Sequence, residues 1–133
     1  MNYSQIRIVI DTNVIYMSLY NKYSKAGKII DFALENKIHL YSPESVKEEI
    51  IRVLKRELNY SDELIDTILN ELPITWVEKD IYAMAIAQTQ VKHKPDKPIE
   101  ALSLVLNCGI LSADHHFRNR INIDELLNEL EKQ

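Results

Sequence analysis

An apolar run that ends in a carboxylate near the amino terminus most constrains the fold of this chain. Residues 6–10 are β-branched apart from Arg7, and Asp11, Thr12 and Asn13 follow them directly. Such a run is typical of a strand buried on both faces of a parallel sheet. Ligands of open α/β sheets bind outside the carboxyl ends of the strands, so Asp11 is predicted to lie at a ligand site.

The composition is that of one folded domain. The chain has 133 residues, 46% of them hydrophobic, with only two glycines and four prolines. We therefore expect a single domain over residues 1–133.

No segment reaches the roughly 18 apolar residues of a membrane span, and no leader pattern is present, so a soluble cytoplasmic protein is expected. The net charge of −4 argues against a general nucleic-acid coat but is compatible with a local phosphate site.

The apolar period alternates between strand and helix along the chain, which indicates βα units and a parallel sheet. Strands are predicted over residues 6–10, 37–41 and 74–77, before Asp114, and as a vestige over 121–123. Helices are predicted over 14–20, from Ser24, from Pro43 after a cap at Ser42, from Ser61, over 81–91, from Asp96, and over 124–132. The helix over 81–91 is apolar on most sides and is predicted to be buried.

The acids that accompany Asp11 are selected by strand ends and by helical phase. A short apolar strand leads to Ser112 and Asp114, which repeats the arrangement at Asp11. In the helix that follows Pro43, Glu49 falls at the edge of the apolar stripe, whereas Glu48 points the opposite way. Desolvating a carboxylate at that margin is costly without a partner, so Glu49 is the one that needs an explanation.

The sixth helix contributes the remaining acid. Asp96 begins this helix within a basic cluster formed by Lys92-His93-Lys94 and Lys97, and Gly109 is predicted to supply its left-handed stop. The helix wheel places Ile99, Leu102, Val105 and Leu106 on an apolar face, and Asp96, Glu100, Ser103 and Asn107 on another. Asp96 is therefore predicted to lie at the helix start, next to cationic groups.

Asp11, Glu49, Asp96 and Asp114 are thus predicted to lie where strand ends and helix flanks meet. Clustered carboxylates repel one another unless a cation lies between them. Oxygen ligands favour Mg²⁺ or Mn²⁺, and such an ion can activate a water for hydrolysis of a phosphodiester. Taken singly, Asp96 is also explained as a helix cap and Asp114 as a turn residue.

These motifs together resemble the PIN domain, a family of metal-dependent ribonucleases. The resemblance rests on Asp11-Thr12-Asn13 after an apolar strand, on Glu49 in a Ser-Pro-x-x-x-x-x-Glu-x-x-x-x-Leu helix, on Asp96 heading an apolar helix, and on Ser112-Ala113-Asp114. It extends over residues 7–123. It implies a three-layer α/β/α fold with a central parallel sheet of four to five strands.

The resemblance also implies roles for individual residues. The catalytic and metal-binding residues would be Asp11, Glu49, Asp96 and Asp114, with Asn13 and Ser112 holding the cluster. The implied activity is Mg²⁺- or Mn²⁺-dependent endoribonuclease activity on RNA. Because many small stand-alone PIN proteins are toxins of toxin–antitoxin pairs, the resemblance leaves open a toxin role, a cognate antitoxin and a homodimer.

Two other readings use the same residues differently. A PIN-like regulatory or protein-interaction module would keep the fold with weak metal binding and little or no nuclease activity. A phosphatase of the haloacid dehalogenase type also begins with a strand ending in aspartate, but it needs a second acid where this chain has Asn13.

Basic residues after the last acid are the candidates for RNA contact. Guanidinium groups suit phosphate geometry, and Arg118 and Arg120 follow Asp114 closely, so both are predicted to bind backbone phosphates. His115 and His116 are open to a surface position, to a contact with phosphate or to a role in proton transfer.

Overall fold

A single parallel sheet forms the centre of the protein in the computed structural model, which describes residues 6–132. Its five strands have the order β3-β2-β1-β4-β5, and every pairing is parallel. The strands are β1 (Arg7–Ile10), β2 (His39–Pro43), β3 (Ile74–Val77), β4 (Gly109–Leu111) and β5 (Arg120–Ile121). The predicted parallel sheet is therefore confirmed, with five strands, of which β5 has two residues.

Seven α-helices surround the sheet within the described residues. They are α1 (Thr12–Tyr20), α2 (Lys25–Leu34), α3 (Glu44–Arg56), α4 (Asp62–Glu71), α5 (Lys79–Tyr82), α6 (Lys97–Leu106) and α7 (Ile123–Glu131). Because parallel crossovers are right-handed, the helices that connect β1 to β2 and β2 to β3 cover one face, and those between β3 and β4 cover the other. The result is the three-layer α/β/α fold that the sequence predicts. Of the helices within residues 6–132, none is both long enough and apolar enough to cross a membrane.

The strand order creates a switch point between β1 and β4. The chain leaves β1 toward β2 on one side and returns from β3 to β4 on the other side. Ile10 lies opposite Leu111 in the register, and the N–H of Asp11 donates to the Leu111 carbonyl at 2.9 Å. The residues that follow both strands therefore emerge side by side at the place where open α/β sheets bind ligands.

Burial of β1 explains its sequence. Ile8, Val9 and Ile10 are almost completely inaccessible, since helices cover both faces of the sheet. The predicted helix starts at Ser24 and Ser61 are also confirmed, and both side chains accept hydrogen bonds from backbone N–H groups in the first turns of α2 and α4. Apolar stripes and serine caps are local signals, and they place these elements correctly.

The prediction that Ser42 caps the third helix is wrong. Strand β2 continues through Pro43, and the buried Ser42 hydroxyl donates to the Ile10 carbonyl at 3.0 Å. Helix α3 then begins at Glu44 without a side-chain cap. Ser42 therefore joins two neighbouring strands, an interaction between residues 32 positions apart that a local capping rule does not anticipate.

The predicted buried helix over residues 81–91 is also wrong. The chain forms only the short α5 and then a 3₁₀ segment, Ala83–Gln88. Ile81 is 55% exposed and Met84 is 92% exposed. At the end of this segment, the Glu100 carboxylate on another helix accepts hydrogen bonds from the N–H groups of Gln90 and Val91, so these two residues have backbone partners outside a helical ladder.

The end and the faces of α6 differ from the prediction. Asn107, with φ 52° and ψ 53°, takes the left-handed position predicted for Gly109. Gly109 begins β4, where a Cβ would lie 2.6 Å from side-chain atoms of Ile121 and 3.2 Å from the Asn119 carbonyl oxygen, so a larger residue there would displace the Ile121 side chain. Val105 is exposed, whereas Glu100 and Ser103 are buried, so the buried face of α6 is shifted toward its polar residues.

Candidate active site

Asp11 lies at the centre of the site and is held on both carboxylate oxygens. The N–H of Thr12 donates to Oδ1 at 2.7 Å, and the Ser112 hydroxyl donates to Oδ2 at 2.6 Å. Asp11 thereby caps α1, which begins at Thr12 and not just after Asn13 as predicted. Asp11 is only 4% exposed, so burial and these two hydrogen bonds fix the orientation of its carboxylate.

The charge on Asp11 is costly in this environment. Burial raises the pKa of Asp11 above 3.8, its ordinary value, and the negative charges of Asp96 and Asp114 raise it further. The hydrogen bonds from Ser112 and Thr12 lower the pKa and oppose only part of this effect. Because the pKa of Asp11 is higher in the folded state than in the unfolded chain, the free energy of unfolding falls as the pH rises from 3.8 through the folded-state pKa. A cation beside Asp11 would offset this cost.

Asn13 and Ser112 connect the two strand ends. The Asn13 amide nitrogen lies 3.4 Å from Oδ2 of Asp11 and 3.4 Å from Oδ2 of Asp114. Its orientation is set by the N–H of Ala113, which donates to Asn13 Oδ1 at 3.2 Å. The Ser112 hydroxyl oxygen in turn accepts the N–H of Asp114 at 3.0 Å. Both polar residues thus contact the two aspartates directly.

Glu49 reaches the same site from α3. Its side chain is half-buried and accepts a hydrogen bond from the Thr12 hydroxyl at 3.2 Å, whereas Glu48 is exposed. The two neighbouring glutamates therefore have the orientations that the helix wheel predicts. Thr12 adds a contact that the sequence pattern did not reveal, because its partner lies 37 residues away.

Asp96 is paired with a histidine. Although it lies at the N-cap position of α6, its side chain makes no capping hydrogen bond. Its Oδ2 instead lies 2.7 Å from Nε2 of His116, and its side chain is 13% exposed. The sequence left the role of His116 open, and the structure places its half-exposed ring against a candidate acid. His116 also packs against the Phe117 ring at 4.9 Å between centroids.

The four acids line one cleft. This cleft has a volume of about 320 Å³ and opens at the switch point of the sheet. Its lining consists of the acids Asp11, Glu49, Asp96 and Asp114 together with Thr12, Asn13, Tyr16, His93, Pro95, Ile99 and His116. A larger cavity of about 530 Å³ lies among α1, α2 and α4 with a mainly apolar lining, away from the strand ends. The smaller cleft is the candidate site because it combines the acids with the switch point.

Tyr16 is a cleft residue that sequence reasoning missed. Within residues 6–132 its buried hydroxyl has no hydrogen-bond partner. Burial, followed by the charge of Glu49, raises the pKa of Tyr16 to about 12, so the hydroxyl keeps its proton at neutral pH. An unpaired buried donor at an acidic cleft is suited to a water or another polar ligand held there.

The donor set fits a hydrated divalent ion. Among the described residues, no three His, Cys, Asp or Glu side chains are close enough to form a ready-made metal site. Mg²⁺ usually keeps several waters and is bound through one or two carboxylates. Asp11 and Asp114 provide such a pair, since the same amide nitrogen contacts both. The Tyr16 hydroxyl, which has no hydrogen-bond partner among residues 6–132, can hydrogen-bond a water in the cleft.

The two predicted phosphate-binding arginines have different environments. Arg118 is exposed, whereas Arg120 is half-buried and its Nε donates to the Ser112 carbonyl at 2.8 Å. The guanidinium of Arg120 therefore supports the backbone between Ser112 and β5. Arg118 is the arginine of this pair with a solvent-facing side chain.

The fold and the cleft define a parallel α/β protein with an acidic site at the switch point of its sheet. The sequence model of the PIN domain matches residues 8–99, which is more than half of the chain, and the protein belongs to the PIN domain family. PIN domains are generally nucleases and typically depend on a divalent metal. The match includes Asp11, Glu49 and Asp96 and ends before Asp114. Comparison with curated protein sequences finds no match.

Proposed function

We propose that this protein is a Mg²⁺- or Mn²⁺-dependent endoribonuclease that hydrolyses RNA phosphodiester bonds. The observation that carries the proposal is the cleft at the switch point, which four carboxylates line in a chain of the PIN domain family. Asp11 is a buried carboxylate whose charge is costly, and a group of this kind among other carboxylates is typical of sites that bind a cation. RNA is the proposed substrate.

The residues of the cleft divide into ligands and groups that hold them. Asp11 and Asp114 would contact the ion, with Glu49 and Asp96 contacting its water or completing the shell. A bound divalent ion supplies an acidified water and neutralises charge that develops on the phosphate. Ser112 and Thr12 hold the Asp11 carboxylate through hydrogen bonds to its two oxygens, so it need not reorient when substrate binds. Asp96 holds the His116 ring at the edge of the cleft.

The direct test is cleavage of single-stranded RNA by the purified chain. Activity is measured with Mn²⁺, with Mg²⁺ and with EDTA. The proposal requires cleavage with at least one of the two ions and none with EDTA. Equal cleavage in all three conditions would contradict the proposed metal dependence.

One observation favours a second candidate, a PIN-like regulatory or interaction module. The described residues contain no compact group of three metal-ligating side chains, which is compatible with weak metal binding. This candidate predicts a folded protein that cleaves no RNA with either ion. The cleavage experiment therefore distinguishes it from the ribonuclease.

Mn²⁺ is expected to raise the melting temperature of the protein by several degrees. The ion would bind only the folded state and would offset the cost of the buried Asp11 charge. Melting is measured against Mn²⁺ concentration for the parent, for Asp11→Asn and for Asp66→Asn, an exposed aspartate on α4. The Asp66 variant should respond like the parent and the Asp11 variant much less. Equal responses in all three would refute a site centred on Asp11.

Replacement of Arg118 by alanine is expected to weaken RNA binding regardless of sequence. Loss of one phosphate contact should reduce the slope of log affinity against log salt by about one. Binding is measured in EDTA beside Arg56→Ala, which removes an exposed arginine at the carboxyl end of α3. Arg120→Ala should mainly lower the melting temperature, because this side chain supports the Ser112 carbonyl. An unchanged salt slope for Arg118→Ala would count against an RNA contact there.

A further inference from the structure

We propose that the acidic cleft continues into a separate nucleotide subsite formed by Lys92, His93 and His116. This subsite would bind the nucleotide next to the phosphate that is cleaved, with its base against the imidazole rings and its phosphate near Lys92. The inference rests on the proposed ribonuclease function. It adds residues from the segment between the 3₁₀ turn and α6, to which the sequence analysis gave no role beyond a basic cluster.

The first argument is that two neighbouring cavities share part of their lining. A second cavity of about 390 Å³ is lined by Gln90, Val91, Lys92, His93 and His116. Two of these residues, His93 and His116, also line the acidic cleft. The volume lies within the range of roughly 300–1,000 Å³ typical of small-ligand sites. The second cavity therefore adjoins the acidic cleft at these two histidines.

The second argument is the change of chemistry along this path. Within residues 6–132, the acidic cleft has four carboxylates and no lysine or arginine in its lining, whereas the second cavity has Lys92 and no carboxylate. Val91 is buried and supplies an apolar surface beside the two imidazole rings. Histidine rings stack on unpaired bases, and ammonium groups attract phosphate. This combination matches one nucleotide of a single strand.

The third argument is rigidity. Glu100 is only 2% exposed. Its carboxylate accepts hydrogen bonds from the N–H of Val91, at 3.2 Å, and from the N–H of Gln90. At the other end of the segment, the N–H of Asp96 donates to the His93 carbonyl at 3.0 Å. The backbone that carries Lys92 and His93 is thus held at both ends. A preorganised surface loses less conformational entropy when a ligand binds.

The test measures binding of a fluorescent single-stranded oligoribonucleotide in EDTA by anisotropy, so that no cleavage is needed. His93→Ala should weaken binding about tenfold, as expected for loss of one base stack. His93→Phe keeps an aromatic ring and should bind like the parent. Lys92→Gln should reduce the salt slope by about one. Lys28→Gln, which removes the charge of an exposed lysine on α2, is the control that should change nothing.

The outcomes separate this subsite from the proposed activity. Parent-like binding by His93→Ala would overturn the subsite even if the protein cleaves RNA. Equal losses in His93→Ala and His93→Phe would overturn the stacking contact, provided that both variants melt like the parent. Weak binding by His93→Ala alone would support the subsite, even if no metal-dependent cleavage is found and the ribonuclease proposal fails.

Discussion

Replacement of Asp11 by asparagine is expected to reduce metal-dependent RNA cleavage at least about a hundredfold. Asp11 is the most buried of the four acids and is held by hydrogen bonds to both oxygens. Asparagine preserves the size of the side chain and can still accept a hydrogen bond, but it removes the charge that would bind the ion. Loss of one preorganised electrostatic contact at a reacting centre typically has an effect of this size.

The measurement is initial cleavage rate with saturating Mn²⁺ for the parent, Asp11→Asn and the surface control Asp66→Asn. In EDTA at neutral pH, Asp11→Asn should be at least as stable as the parent. The substitution removes a buried carboxylate whose raised pKa shows that its ionised form destabilises the folded state. The stability difference should shrink as the pH falls through the raised pKa of Asp11 toward 3.8, because the carboxyl of the folded parent takes up its proton at a higher pH than that of the unfolded chain. Parent-like cleavage by Asp11→Asn would disprove a catalytic role for this residue.

Much of the fold follows from local sequence signals. The β-branched run before Asp11 predicts a strand buried on both faces, and β1 is such a strand. Alternation of strand and helix periods predicts a parallel sheet, because neighbouring parallel strands need a crossover connection and this connection is usually a helix. The position of Asp11 at the ligand-binding edge follows from these two facts together. The order of the strands, and hence the switch point, does not follow from periodicity.

The errors occur where a distant side chain replaces a local partner. Ser42 has the local pattern of a helix cap, but its hydroxyl bonds to the neighbouring strand at Ile10. Residues 81–91 have a helical apolar pattern, but the N–H groups of Gln90 and Val91 donate hydrogen bonds to the Glu100 carboxylate. Such contacts depend on the tertiary arrangement. A pattern confined to a dozen residues contains no information about them.

The same distinction applies to the candidate site. Helical phase is local, and it correctly separates the exposed Glu48 from the half-buried Glu49. The contact between Asp96 and His116 joins residues 20 positions apart, and the unpaired hydroxyl of Tyr16 depends on packing around the cleft. Acidic residues can therefore be nominated from the sequence, whereas the groups that hold them are found only in three dimensions.

The pair of glutamates on α3 provides the sharpest comparison within one helix. Glu49→Gln is expected to lower metal-dependent RNA cleavage at least about tenfold, since this side chain lines the cleft beside Asp11. Glu48→Gln removes the same charge from the adjacent exposed residue and should leave cleavage unchanged. Glutamine at position 49 can still accept the hydrogen bond from the Thr12 hydroxyl, so the metal-free Glu49→Gln protein should be as stable as the parent.

This combination distinguishes a functional carboxylate from a structural one. If Glu49 served only to stabilise the fold, Glu49→Gln would lower the stability of the protein. The loss of activity would then follow the loss of folded protein. Both variants are therefore measured for cleavage with Mn²⁺ and for melting in EDTA, at equal concentrations of folded protein. Loss of cleavage in Glu48→Gln alone would contradict the orientation of α3. Full activity in both variants would remove Glu49 from the site and leave Asp11, Asp96 and Asp114 to hold the ion.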